Sequence, residues 1–72
     1  MNDISTWVGD THVRAFDWID GKNIYLHMEQ FAPGASLLKP PRKELSVLIE
    51  RTADAEARMK THLDSIVRHF MG

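Results

Sequence analysis

Apolar and polar positions alternate along the first half of the chain and follow a helical period along the second. Thr11 to Ile19 (THVRAFDWI) is rich in β-branched and aromatic residues, with Arg14, Phe16 and Trp18 on one face and Val13, Ala15 and Asp17 on the other. Lys22 to Phe31 (KNIYLHMEQF) repeats the pattern: Ile24, Leu26 and Met28 share a face, opposite Tyr25, His27, Glu29 and Phe31. Asp20-Gly21 between the two runs is a strong hairpin signal, because a type I′ turn needs positive φ at both central residues. Residues 11–31 are therefore predicted as an antiparallel β-hairpin. A hairpin alone is marginal in water, so it needs a packing partner.

Residues 1–10 are read as a loose N-terminus, polar over Met1–Ser5, or as a short extra strand at Thr6–Val8 with Gly9-Asp10 as its turn. Ala32-Pro33-Gly34 ends the second strand. Residues 32–41 form a connector, in which Ala35–Lys39 carries two leucines that need cover and Pro40-Pro41 stops any regular element. Beyond it, Leu45, Ile49, Thr52, Glu56, Met59, Leu63, Ile66 and Phe70 step by four and three, with no Gly or Pro from Arg42 until Gly72. This spacing predicts one long helix over 42–71. Leu45, Val47 and Ile49 also alternate, which fits a strand followed by a helix that Thr52 caps. The single helix is preferred, because Glu50-Arg51 supplies no turn chemistry.

The expected fold is therefore α+β: an N-terminal antiparallel hairpin, with a candidate short extra strand, followed by one long C-terminal helix. Such a helix is roughly 40 Å long at about 1.5 Å per residue, more than a small hairpin can cover. The excess predicts a helix-mediated homodimer through Leu45, Ile49, Met59, Leu63, Ile66 and Phe70.

Composition bounds the rest. At 72 residues the chain is one small domain, and domains of this size usually need help from disulfides, metal or oligomerisation. With no cysteine there is no disulfide, thiolate zinc site or cysteine nucleophile, which also fits a reducing compartment. A net charge of −1 argues against a dominant electrostatic grip on nucleic acid. The N-terminus lacks the basic and apolar regions of a secretory signal, and no run has the length of a membrane span, so a cytoplasmic protein is expected.

Motifs for chemistry are few. His12, His27, His62 and His69 lack the i, i+4 spacing that lets two imidazoles share a zinc, and ordinary polar roles account for them. Asp17, Asp20, Asp54 and Glu56 fit turns and helix surfaces, and no serine sits in a nucleophile elbow. Glycine-rich phosphate loops are absent. No catalytic residue, metal or cofactor is assigned, and no enzymatic activity is expected. Lys39, Arg42 and Lys43 bracket the prolines, where they offer an anion contact or simply a solvated surface. The aromatics are more telling. Some must lie in the core, but alternation sends others outward, where they can anchor a protein or stack on bases.

The run from Val13 to Val47 also resembles the PC4-type transcriptional coactivator domain. That family has a V-R-x-F strand, a G-K turn, an alternating strand ending in aromatics, a P-x-[KR]-K-G-[IV]-S-L segment and a helix. Val13, Arg14, Phe16, Gly21, Lys22, Ile24, Leu26, Phe31, Pro41, Lys43 and Ser46 can be laid on it, with Glu44 in place of the last segment's glycine. The resemblance covers about half the chain. It implies a curved sheet that includes that last segment as a strand, a helix-mediated dimer, and single-stranded DNA bound by basic and aromatic residues.

Two functions fit these features. The first is a non-enzymatic interaction protein, an adaptor, antiactivator or inhibitor, that docks onto a larger protein through Arg14, Phe16, Trp18, Tyr25 and Phe31 and modulates it. The second is a nucleic-acid-binding regulator that uses Arg14, Lys22, Lys39, Arg42 and Lys43. No membrane partner is expected.

Overall fold

The computed structural model describes residues 3–34 and 39–72. Four strands, β1 (Ile4–Val8), β2 (Thr11–Asp17), β3 (Asn23–Gln30) and β4 (Lys43–Glu50), form one antiparallel sheet in the order β1-β2-β3-β4. Two short helices follow, α1 (Ala53–Thr61) and α2 (Leu63–Met71). The predicted α+β class is compatible with this architecture; the single long helix is not. Ile4 and Ser5, expected to be loose, belong to β1. The Ala35–Leu38 part of the connector lies outside the described residues.

The helix expectation fails at two points, each with a physical cause. Over Lys43–Glu50 the chain is a strand, because Leu45, Val47 and Ile49 pair beside Met28, Leu26 and Ile24 and extend their apolar face. No turn residue is needed to enter the helix. Thr52 caps α1 with extended backbone (φ −108, ψ 162), so strand passes into helix through the cap itself. Its hydroxyl accepts from the Ala55 N–H at 3.0 Å. The second break is at His62, whose φ of −128 leaves the helical region. One residue earlier, the Thr61 hydroxyl donates to the Ala57 carbonyl at 2.8 Å, a back-bond that bends helices.

The hairpin is present, with a wider turn than the type I′ expected. Only glycines have positive φ among the described residues, so Asp20 cannot take a left-handed position, while Gly21 does (φ 70). Strand pairing extends to Asp17↔Ile24, the Trp18 N–H donates to the Asn23 carbonyl at 2.8 Å, and the Gly21 N–H donates to the Trp18 carbonyl at 3.0 Å. Asp20 takes a different part. Its carboxylate accepts from the Lys22 and Asn23 N–H groups at 2.8 and 3.0 Å and so stitches the turn.

The core lies between one face of the sheet and the helices. Val13, Ala15, Ile24, Leu26, Met28, Met59, Val67 and Met71 are buried. Each large side chain among them contributes about 1.5–3 kcal/mol by leaving water. Helix α2 presents Leu63, Ile66, Val67, Phe70 and Met71 to this layer, an i, i+3, i+4, i+7, i+8 stripe.

The residues proposed for a dimer seam are used here within one chain. Met59 is buried, and Leu45, Ile49, Leu63, Ile66 and Phe70 pack against the same core. The long helix that would have needed a second copy for cover is absent, since α1 and α2 are nine residues each.

Candidate functional site

The other face of the sheet faces away from the helices and carries the sequence's aromatic signal. Strand alternation places Ser5 and Trp7 of β1, His12, Arg14 and Phe16 of β2, Tyr25, His27 and Glu29 of β3, and Glu44, Ser46 and Leu48 of β4 on it together. Trp18 and Phe31 extend the two ends.

Two aromatic patches result. At the turn end, Phe16 stands opposite Tyr25 with ring centroids 5.1 Å apart, and Trp18 stacks on Tyr25 at 4.8 Å. Leu48, opposite Tyr25, is 53% exposed, and Ile19 at the turn tip is 91% exposed. At the other end Trp7, 48% exposed, leans on Phe31 at 5.8 Å and on His12 at 5.1 Å. Offset and tilted contacts at these separations are the ones aromatic quadrupoles favour.

A polar centre separates the patches. The Arg14 guanidinium lies 5.4 Å from the Phe16 ring centroid, within cation–π range. The Tyr25 hydroxyl donates to Ser46 Oγ at 2.9 Å, and Ser46 Oγ is 2.8 Å from His27 Nδ1. His27 Nε2 meets Glu29 Oε1 at 2.8 Å and Glu44 Oε1 at 3.3 Å.

All five residues expected to bind a partner, Arg14, Phe16, Trp18, Tyr25 and Phe31, thus have places on or at the margins of this face. The five assigned to nucleic acid are divided. Arg14 is central. Lys22 is in the β2–β3 turn, whereas Lys39 and Arg42 lie before β4 at the opposite end. The length of a strand like β4, about 23 Å at roughly 3.3 Å per residue, lies between the two groups. Lys43 turns to the helix layer, where its ammonium donates to the Met71 carbonyl at 2.9 Å. It closes the C-terminal end of α2 and does not stand at a helix start.

Sequence reasoning missed Trp7, Leu48 and Ser46 as members of the face, and the grouping of His27 with Glu29 and Glu44. The i, i+2 spacing of His27 and Glu29 was visible. Ser46, Leu48 and Glu44 join only when Lys43–Glu50 is read as a strand.

Compared with known proteins, the chain matches no family model, no curated protein and no solved structure.

Proposed function

We propose that this protein is a small non-enzymatic interaction module that docks through its outer sheet face onto a larger protein and modulates it. The observation that carries this reading is the exposed aromatic and aliphatic surface, with Trp7 and Leu48 about half exposed on a face that the helices leave open. Aromatic and arginine side chains in a shallow, mixed setting are the usual anchors of protein interfaces. No helix among the described residues is long and apolar enough to cross a membrane. The reading takes the cytoplasm as its compartment, consistent with the absence of cysteine. It leaves self-association to be measured by sedimentation.

The test is capture of the partner by the intact protein and by face variants. Trp7→Glu and Leu48→Glu should each lose the captured protein at moderate salt, while Lys60→Glu on exposed α1 should retain it. Equal capture by all of them contradicts the proposal.

One observation favours a second reading. β4 occupies Lys43–Glu50, the segment for which the coactivator resemblance implies a strand. Against it, Glu29 and Glu44 oppose each other on the outer face, Lys43 is turned to the helix layer, and apart from the central Arg14 the other assigned basic residues lie at opposite ends, which is poor phosphate complementarity. Single-stranded DNA binding that falls steeply between low and moderate salt would favour this alternative.

A further inference from the structure

The polar centre of the outer face has the composition and geometry of a metal site. We propose that His27, Glu29 and Glu44 bind one first-row divalent cation, zinc being the best match, on the outer face of β3 and the edge strand β4.

Three observations converge on it. First, one ligand atom from each of His27, Glu29 and Glu44 lies within 4.8 Å of the other two. The His27–Glu44 separation, 3.3 Å, is close to the spacing of about 3.4 Å that two ligands take around a tetrahedral zinc with bonds of about 2.1 Å, while the His27–Glu29 contact, 2.8 Å, is a hydrogen-bond distance that lengthens to admit the ion. Small outward side-chain rotations open room for the ion. Second, Glu29 and Glu44 are direct cross-strand partners, and two carboxylates in that relation repel unless something positive joins them. Third, the imidazole is held from outside the ligand set. Its Nδ1 meets Ser46 Oγ, which is fixed in turn by the Tyr25 hydroxyl, and the ring lies parallel to Tyr25 within 7°. Metal-bound histidines are characteristically anchored through the second ring nitrogen in this way.

One imidazole and two carboxylates suit zinc and its first-row neighbours better than calcium, which takes oxygen ligands alone. Binding needs a neutral ring with its proton on Nδ1, where Ser46 Oγ accepts it, leaving the Nε2 lone pair for the ion. Side-chain exposures of 21% for His27, 32% for Glu29 and 56% for Glu44 leave the remaining coordination positions open to water or to a donor from a docked partner. The site does not depend on the docking proposal, because neither Trp7 nor Leu48 is a ligand.

The test is calorimetric titration of the full chain, cleared with chelator, with zinc chloride, alongside cobalt chloride followed by visible absorption. The expected result is saturable one-to-one binding and a cobalt spectrum of low coordination number. His27→Ala and Glu44→Gln should each weaken binding at least tenfold, and Ser46→Ala about tenfold. His69→Asn should leave it unchanged. Glu44→Gln replaces an exposed carboxylate by its isostere, so circular dichroism should show an intact fold. Absence of saturable binding overturns the proposal. So does binding by His27→Ala and Glu44→Gln at wild-type affinity, which would place the ion elsewhere. Trp7→Glu and Leu48→Glu should bind zinc as the wild type does, separating failure of this site from failure of docking.

Discussion

The ring of Trp18 lies on that of Tyr25, with centroids 4.8 Å apart and planes inclined by 20°. The pair joins the β2–β3 turn to the middle of β3 on the face that the helices do not cover. Stacked aromatic pairs contribute about 0.5–1.5 kcal/mol beyond the area they bury. Trp18→Ala also removes the area that the half-buried ring covers, so it should cost at least that much, read from urea unfolding, and also weaken partner capture. Tyr25→Phe keeps the ring and loses only the bond to Ser46. It should cost about 1 kcal/mol or less and leave capture intact.

Lys43 ties the start of β4 to the end of α2 through the Met71 carbonyl. A cation at a helix C-terminus with a charge-assisted hydrogen bond contributes about 1 kcal/mol. Lys43→Met should lower unfolding stability by about that much. It should leave any single-stranded DNA affinity unchanged, since the ammonium is committed to the helix end. A selective loss of DNA binding would show that Lys43 serves the other face.

Thr52 stands where strand becomes helix, and its hydroxyl satisfies the Ala55 N–H. Thr52→Ala should destabilise the protein by about 1 kcal/mol, and Thr52→Ser should restore most of the loss. Chemical denaturation of the three proteins checks the series.

Asp20 titrates below its ordinary value of 3.8, because the Lys22 N–H and then the Asn23 side chain hydrogen-bond the ionised carboxylate. A folded-state value below the unfolded one stabilises the fold fully above the unfolded value. That stabilisation is lost as pH falls through the folded one. Asp20→Ala should accordingly flatten the acid limb of stability below about pH 4, with its largest deficit relative to wild type above that range. An unchanged acid limb in Asp20→Ala would show that the turn carboxylate is not linked to folding.

The hairpin faces could be read from alternation alone, since period two assigns every side chain once a strand is granted. That reading placed Ile24, Leu26 and Met28 opposite Tyr25, His27 and Glu29, as the structure does. The β4 segment was ambiguous because Leu45 and Ile49 satisfy both periods, lying two alternations and one helical turn apart. What decides it is non-local: the partners Met28, Leu26 and Ile24 across the sheet, which a local window does not contain. The break at His62 was hidden for a different reason. The apolar stripe from Met59 to Phe70 keeps its helical spacing through it, and the only local sign is Thr61, a residue that can back-bond. The candidate site was half legible. Its β3 members followed from alternation, but Glu44, Ser46 and Leu48 depended on β4.

The central claim is that the outer sheet face is a protein-docking surface, and site-specific photo-crosslinking tests it most directly. A photoreactive phenylalanine analogue at Leu48, on the face, is compared in the cells that make the protein with the same analogue at Lys60, on exposed α1. The account predicts a defined cross-link to a larger protein from position 48 alone, lost with Trp7→Glu and insensitive to moderate salt. Cross-links from position 60 alone, or from position 48 to nucleic acid, would contradict it.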